Sequence, residues 1–411
     1  MDVPEYVRTR AAHGAARLNS EYKASSLPAR LQEREIRLDA DTDKVFASEW
    51  LSNTHVVCGT KCNQLLVIDV ERRQTTSIPT LDPHPTMGGP GVRCHCGIHD
   101  IAVSPRGDFL ATGGRNANDL AVYRMPFFDP HLVGHNHRDW IFALTWIDEN
   151  YVVTGSRDST VSVWCMRSGR PGHECDGCRS IRSSPRDEFG TLYSRPALTK
   201  SLHNERVRAL AHSKDTEILG ILSSSSLHFW DSATFQSIGN TRLPHAVENV
   251  SLARHPTMPL YANGSQNHIT FVDERDFKLK QSVNAPDHRH GELRIVYITY
   301  VSLRPIDPGV RSLSFYENIL TVGGGRGKVA FFDVRACKYL ERQDDTKSFC
   351  YLDTGPGHLR EDPTYLYYFS EEPRPPNAVY THCYDRSHSR LFTGGGPPQL
   401  GLFGNYAAIW Q

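Results

Sequence analysis

The stretch TGSRDSTVSVW (Thr154–Trp164) has the sequence pattern that indicates the fold. A tight turn is followed by TVSVW, in which apolar and polar residues alternate, and such alternation is typical of a β-strand with one buried face. The turn itself holds two adjacent opposite charges, Arg157 and Asp158. The stretch therefore predicts a β-hairpin with two opposite charges at its tip.

The same hairpin pattern recurs along the whole chain. A short apolar run, a Gly-containing turn and a second alternating run occur seven times, from HVVCGTKCNQLLVIDV to RLFTGGGPPQLGLFGNYAAIWQ. Three copies also have an upstream run of matching pattern, in WIFALTW, VRALAHS and VRSLSFYE. Repeated β-meanders of this kind predict an all-β protein made of blades.

The third copy is the most informative about how a blade is held together. Its sequence, HRDWIFALTWIDENYVVTGSRDSTVSVW, resembles a WD repeat, the unit of a family in which four-stranded blades form a propeller. The resemblance implies a seven-bladed WD-repeat β-propeller over residues 44–411. It also implies that His137, Asp158 and Trp164 are structural residues of one hydrogen-bond network, which a buried carboxylate needs.

Residues 1–43 are expected to form a short, partly helical arm that closes the propeller. The last copy stops at AAIWQ without residues for a fourth strand, and an open blade edge favours aggregation. The alternating segment REIRLD (Arg34–Asp39) predicts the strand that fills this edge. The preceding LPARLQERE has helical periodicity, whereas residues 1–26 are weakly patterned.

Composition excludes several classes of partner. The 46 basic residues equal the 46 acidic ones, so no overall charge attracts the chain to nucleic acid or to a membrane. No run approaches the roughly 18 apolar residues of a membrane span, and the start MDVPEYVRTR lacks the apolar core of a secretory signal.

The ten scattered cysteines indicate free thiols. We expect a cytoplasmic and nuclear protein.

Basic residues collect on one predicted face. In a four-stranded antiparallel blade, the start of the first strand and the turn between the second and third strands lie at the same end. Register places six basic residues there, namely Lys61, Arg115, Arg157, Arg206, Arg208 and Arg311. Cations that converge on one channel mouth repel one another unless they bind an anion. Because the planar guanidinium suits a carboxylate, the pattern predicts a site for acidic ligands.

The opposite face carries a paired motif. Two successive third strands end in Asp-x-Arg, giving Asp273 and Arg275 in FVDER and Asp333 and Arg335 in FFDVR. The pair resembles the WDxR box of substrate receptors for cullin-four RING ubiquitin ligases, with Phe and Val in place of Trp. In that family the arginine contacts the adaptor, the damaged-DNA-binding protein. The resemblance implies that these four residues bind the adaptor.

Longer sequence segments indicate one family among these substrate receptors. KVFASEWL, VVCGTKCN, SFYENILTVG and PNAVYTHCYD resemble the damaged-DNA-binding-protein-and-cullin-four-associated factor twelve family along most of the chain. This implies a non-catalytic receptor, without cofactor or metal, that recruits proteins ending in Glu-Glu for ubiquitination and proteasomal degradation. The degron-binding residues that the resemblance carries over are Lys61, Arg157, Arg206, Arg208 and Arg311. Arg115 is added from register alone, and His288–Asp307 looks inserted relative to the family.

Three alternatives follow from other features of the sequence. A generic WD-repeat scaffold would use the same basic mouth for other acidic or phosphorylated peptides, without a ligase. A zinc site would need RCHCGIH (Cys94, His95, Cys96, His99) and HECDGC (His173, Cys175, Cys178), which lack the paired spacing of a zinc finger. An enzyme is disfavoured because GGGRGK (Gly323–Lys328) lies between two strands and no catalytic motif is present.

Overall fold

The structure, a computed structural model, describes residues 15–83, 97–166, 191–286, 309–342, 349–369, 373–399 and 401–411. Within these ranges the strands form seven sheets, each built on a four-stranded meander, and the sheets are the blades of a β-propeller. The predicted fold class is therefore confirmed. None of the helices in the described part is long and apolar enough to span a membrane.

The helices and strands follow one another in chain order as α1 Ala15–Ser26, β1 Glu33–Glu35, β2 Val45–Trp50, β3 His55–Thr60, β4 Leu65–Asp69, β5 Gln74–Ile78, β6 Ile101–Val103, β7 Phe109–Gly113, β8 Leu120–Arg124, β9 Asp129–Gly134, β10 Ile141–Trp146, β11 Tyr151–Ser156, β12 Thr160–Cys165, β13 Leu192–Ser194, β14 Leu198–Ser201, β15 Val207–Ser213, β16 Ile218–Ser223, β17 Ser226–Asp231, β18 Ser237–Arg242, β19 Ser251–Arg254, β20 Leu260–Gly264, β21 His268–Asp273, β22 Lys278–Asn284, β23 Val310–Tyr316, β24 Ile319–Gly324, β25 Lys328–Asp333, β26 Lys338–Tyr339, β27 Tyr351–Asp353, β28 His358–Leu359, α2 Pro363–Tyr368, β29 Ala378–Tyr384, β30 Leu391–Gly396 and β31 Gly404–Trp410.

The strands group into blades in sequence order. Blade 1 is β2–β5, blade 4 is β15–β18 and blade 5 is β19–β22. Blade 2 is β6–β9 with β13 added parallel to β9, and blade 3 is β10–β12 with β14 as its outer strand. Blade 6 is β23–β26 with β27 beside β25, and blade 7 is β29–β31 with β1 and β28. The innermost strands contact their neighbours all the way round, and β2 meets β29, so the ring is closed.

The arm closes blade 7 by adding its outermost strand. β1 pairs antiparallel with β31, with Glu33 opposite Trp410 and Glu35 opposite Ala408. Ile36 then donates its backbone N–H to the Ala407 carbonyl (2.8 Å). The expected closing strand is thus present, but it begins one residue before Arg34 and ends at Glu35. The edge of the last blade is covered by chain from the N-terminal side.

The helix expected in LPARLQERE is wrong, because the arm's helix α1 lies earlier, at Ala15–Ser26. Pro28 explains the shift, since proline disfavours helical geometry in the residue before it and cannot donate a backbone hydrogen bond. The apolar residues whose spacing is typical of a helix instead pack into the core. Leu27 and Leu31 are buried with Trp410 in the core cluster between blades 6 and 7.

A buried hydrogen-bond network holds the hairpin of blade 3. Trp164 Nε1 donates to Thr154 Oγ1 (2.9 Å), and His137 Nε2 lies 2.6 Å from the same oxygen. His137 Nδ1 lies 2.9 Å from Thr160 Oγ1, which donates to Asp158 (2.6 Å). Burial raises the pKa of Asp158, but hydrogen bonds from His137 and Thr160 outweigh it and hold that pKa well below its usual range. The structure therefore places the three residues assigned a structural role in one network.

Thr154→Val should lower the free energy of unfolding by about 2 to 4 kcal/mol, because it leaves the buried ring nitrogens of Trp164 and His137 without their shared oxygen. Thr112, at the same position in the blade 2 hairpin, provides the matched control. Its Oγ1 is buried without a hydrogen-bond partner among the described residues. Thr112→Val should therefore change stability by less than about 0.5 kcal/mol. Equal destabilisation of the two variants in urea titrations would contradict this role for Thr154.

Candidate functional site

Five innermost strands share an irregularity near their first residues. In β2, β10, β15, β23 and β29 the pairing with the next strand skips one residue, which is the signature of a β-bulge. A bulge re-aims the side chain of the extra residue. The skipped residues are Phe46, Phe142, Arg208, Arg311 and Tyr380. Because these strands line the channel, five blades each present one side chain at the same end of it.

Aromatic side chains form one side of this channel mouth. The Phe46 ring lies 4.9 Å from that of His99 and 5.1 Å from that of Tyr380, measured between centroids. His99 in turn lies 4.7 Å from Phe142, whose ring is 6.3 Å from Trp140. Sequence reasoning missed this aromatic arc. An alignment of all the first strands would have found it, because three of its members occupy the position of Arg208 and Arg311.

Arginines from neighbouring blades lie against the end of the aromatic arc. The Arg157 guanidinium carbon is 4.7 Å from the centre of the Trp140 ring, and that of Arg208 is 5.1 Å from the Phe142 ring. Burial lowers the pKa of Arg208, and the positive charges of Arg206 and Arg157 lower it further. The three arginines therefore form one electrostatic group, in which like charges are held close together.

Carboxylates of the chain itself pair with three basic residues of the mouth, including Arg157. The distances from nitrogen to oxygen are 2.9 Å for Lys61–Asp43, 3.6 Å for Arg157–Asp139 and 3.5 Å for Arg311–Glu248. The repulsion expected from the sequence is therefore reduced from within the chain. These acidic residues lie in irregular segments before the innermost strands, where no periodicity points to them.

Asp43 ties Lys61 to the junction of blades 7 and 1. Its carboxylate accepts hydrogen bonds from the backbone of Lys44 (3.0 Å) and Gly404 (3.1 Å). Lys44 is fully buried, and its ammonium group donates to the Leu402 carbonyl and to Asp43. Burial lowers the pKa of Lys44 to about 8. Asp43 therefore has a structural role as well as a place beside the mouth.

The two Asp-x-Arg motifs on the opposite face differ in structure. Arg275 folds back on Asp273 through two hydrogen bonds, of 3.0 and 2.7 Å. Arg335 instead reaches the arm, where its Nη1 lies 3.1 Å from Glu21 Oε2 in α1, while its backbone N–H donates to Asp333 (2.8 Å). Both arginines are exposed. The second motif is thus linked to the arm helix, which the sequence did not indicate.

Residues 27–411 match the family model described as the DDB1- and CUL4-associated factor 12 beta propeller. The chain belongs to this family. Shorter matches occur to telomerase protein component 1, with 34% identity over 96 residues in Rattus norvegicus and 32% over 101 residues in Mus musculus. These matches span 21% and 24% of this chain but only 3% and 4% of those relatives, so they cover a small part of their length.

Arg115 differs from the other predicted basic residues of this DDB1- and CUL4-associated factor 12 propeller. Its Nη1 pairs with Asp82 Oδ1 at 2.7 Å, and both side chains are more than half exposed, at 65% and 63%. Its carbonyl accepts a hydrogen bond from Asn63 in the blade 1 hairpin (3.0 Å). Arg115 is on the predicted face, but the structure pairs it with a solvent-exposed carboxylate.

The alternative sites considered for this family member can be placed only in part. Among the residues that the structure describes, no group of three or more His, Cys, Asp or Glu side chains is arranged to hold a metal ion. His99 belongs to the aromatic arc. Gly323–Lys328 covers the end of β24, the turn at residues 325–327 and the first residue of β25. The insertion His288–Asp307 lies outside the described residues. So do the remaining residues of the two motifs of the zinc hypothesis, namely Cys94, His95, Cys96, His173, Cys175 and Cys178.

Proposed function

We propose that the chain is a non-catalytic substrate receptor of a CUL4 ubiquitin ligase. In this proposal the channel mouth binds proteins that end in Glu-Glu, and the opposite face and the arm bind the adaptor DDB1. Ubiquitin transfer by the ligase then leads to proteasomal degradation of the bound protein. Membership of a DDB1- and CUL4-associated factor family supports the ligase part of this proposal.

The observation that carries the ligand assignment is the convergence of Arg157, Arg206 and Arg208. The guanidinium of Arg208 is half-buried, and the two neighbouring charges destabilise its charged form. Holding like charges together lowers stability, and a bound anion relieves that repulsion. A site with this charge arrangement favours a ligand with several negative groups close together.

A chain that ends in Glu-Glu has suitable chemistry. Its last two residues present three carboxylates close together, namely two side-chain carboxylates and the α-carboxylate. A hydrogen bond to a charged group contributes roughly 1.5 to 3 kcal/mol, so a few such contacts reach the roughly 8 kcal/mol of micromolar binding. The stacking of Arg157 on Trp140 and of Arg208 on Phe142 supports this binding, because it orders both guanidinium groups before the ligand arrives.

The test compares a fluorescent peptide ending in Glu-Glu with the same peptide amidated at its C-terminus, by fluorescence polarisation. We expect micromolar or tighter binding of the free acid. Amidation should raise the Kd at least roughly tenfold, because it removes one charge-assisted contact. Equal and weak binding of both peptides would contradict the acidic-tail assignment. It would instead favour a generic scaffold for other acidic or phosphorylated peptides.

A further inference from the structure

Glu248 lies in the irregular segment between β18 and β19, beside the basic mouth. Its Oε2 is 3.5 Å from Arg311 Nη1, at the outer limit of a hydrogen bond. Its negative charge acts on two other side chains of the mouth. It opposes the lowering of the Arg208 pKa, and together with burial it raises the pKa of Tyr380. Glu248 is therefore a carboxylate within range of the bulge residues of blades 4, 6 and 7.

The backbone at Glu248 limits the substitutions that can be made there. Its φ of +54° is in the left-handed region, which disfavours side chains other than those of Gly, Asn and Asp. The same conformation occurs at Glu217 and Glu317, so it does not by itself mark Glu248 as functional. It does limit the residues that can replace Glu248 without strain.

Comparison with Asp43 shows that Glu248 is suited to exchange its partner. The Asp43 side chain is only 5% exposed, and backbone groups of Lys44 and Gly404 hold it in addition to Lys61. The Glu248 side chain is 34% exposed, and its contact with Arg311 is longer than that of Asp43 with Lys61. The Arg311 side chain is only 16% exposed, but the pair is long and its Glu248 side is open to solvent, so a ligand carboxylate can replace Glu248.

We propose that Glu248 acts as an internal competitor for the carboxylates of the ligand. It holds Arg311 until a tail with enough negative charge takes its place. The ligand class rests on the function proposed above, whereas the competition rests on the contact between Glu248 and Arg311. The consequence is that every tail that uses Arg311 binds more weakly by the cost of displacing Glu248. A tail with one or two carboxylates then falls below measurable affinity, whereas a tail ending in Glu-Glu does not.

The test uses Glu248→Gln, which keeps the shape of the side chain and removes its charge. The Kd for the Glu-Glu peptide should fall roughly three- to tenfold, since the carboxylate that competes for Arg311 is removed. A peptide ending in a single glutamate should gain by a similar factor and become measurable. Asp82→Asn is the matched control, because it removes the same charge on the same face but faces Arg115. It should change the Kd less than twofold.

Two further measurements separate the possible failures. Glu248→Asn repeats the test with a residue that tolerates the left-handed backbone, in case the glutamine variant melts at a lower temperature. Citrate binding, measured by calorimetry on wild type and both variants, tests the competition without any tail. If wild type binds no tail peptide, the proposed function is wrong, and tighter citrate binding by the variants would still support the role of Glu248. Unchanged or weaker binding of both peptide and citrate by the variants would overturn it.

Discussion

Arg208→Glu should weaken binding of a Glu-Glu tail at least roughly 100-fold, the largest loss expected from any single change in the mouth. The substitution removes a charge-assisted contact and puts a negative charge where the ligand carries one. The loss of one such contact amounts to roughly 1.5 to 3 kcal/mol, and repulsion adds to it. Fluorescence polarisation with the labelled peptide measures the effect directly.

The unliganded Arg208→Glu variant should be at least as stable as the wild type. Arg206 and Arg157 destabilise the charged form of Arg208, so a glutamate at this position removes their repulsion and attracts both, which offsets its repulsion by Glu248. A thermal melt of the unliganded protein therefore separates lost binding from lost folding. A variant that melts like wild type and still binds the tail with wild-type affinity would remove Arg208 from the site.

Two control variants define what Arg208 contributes. Arg115→Glu makes the same charge change on the same face, but Arg115 is exposed and paired with Asp82. It should raise the Kd less than about twofold, because exposed ion pairs contribute little. Arg208→Lys keeps the charge but loses the planar fork and its stacking on Phe142. The Kd of Arg208→Lys should lie between those of Arg115→Glu and Arg208→Glu, roughly three- to tenfold above that of the wild type.

The face on which the basic residues lie could be predicted because it depends only on repeat counting. Once each hairpin is aligned on its glycine, antiparallel topology decides the end at which Arg157 lies. Which side chains enter the channel depends on the bulges, and a bulge is visible only once two strands are paired. For this reason Phe142 and Tyr380 escaped notice, although they occupy the register of Arg208.

The internal carboxylates could not be predicted for a different reason. Asp139 and Glu248 lie in irregular segments, where neither period two nor period 3.6 identifies the side that a residue faces. The arm shows the same limit. Leu27 and Leu31 have helical spacing, but tertiary packing between blades 6 and 7 buries them without a helix. Local pattern was reliable for the blades because their period matched their burial, and it failed in the segments that connect them.

The double variant Arg275→Glu, Arg335→Glu should reduce binding of purified DDB1 adaptor at least roughly 100-fold, as two charge-assisted contacts are reversed. The two positions should contribute differently. Arg275 is held by its own Asp273, so its reversal removes an adaptor contact and leaves the arm in place. Arg335→Glu additionally faces Glu21, and like charges there should release α1 from blade 6. Surface plasmon resonance with each single variant and the double variant measures both effects.

Arg72→Glu is the matched control for the adaptor face, because Arg72 occupies the corresponding turn of blade 1 and is 78% exposed. Its reversal should leave adaptor binding within about twofold of wild type, as expected for an exposed charge outside the interface. Tail binding by the double variant should be unchanged, since the basic mouth lies at the other end of the channel. Adaptor affinity that survives the double change would show that this face is not the docking surface. Loss of both activities together would instead indicate that the two charge reversals unfold blades 5 and 6.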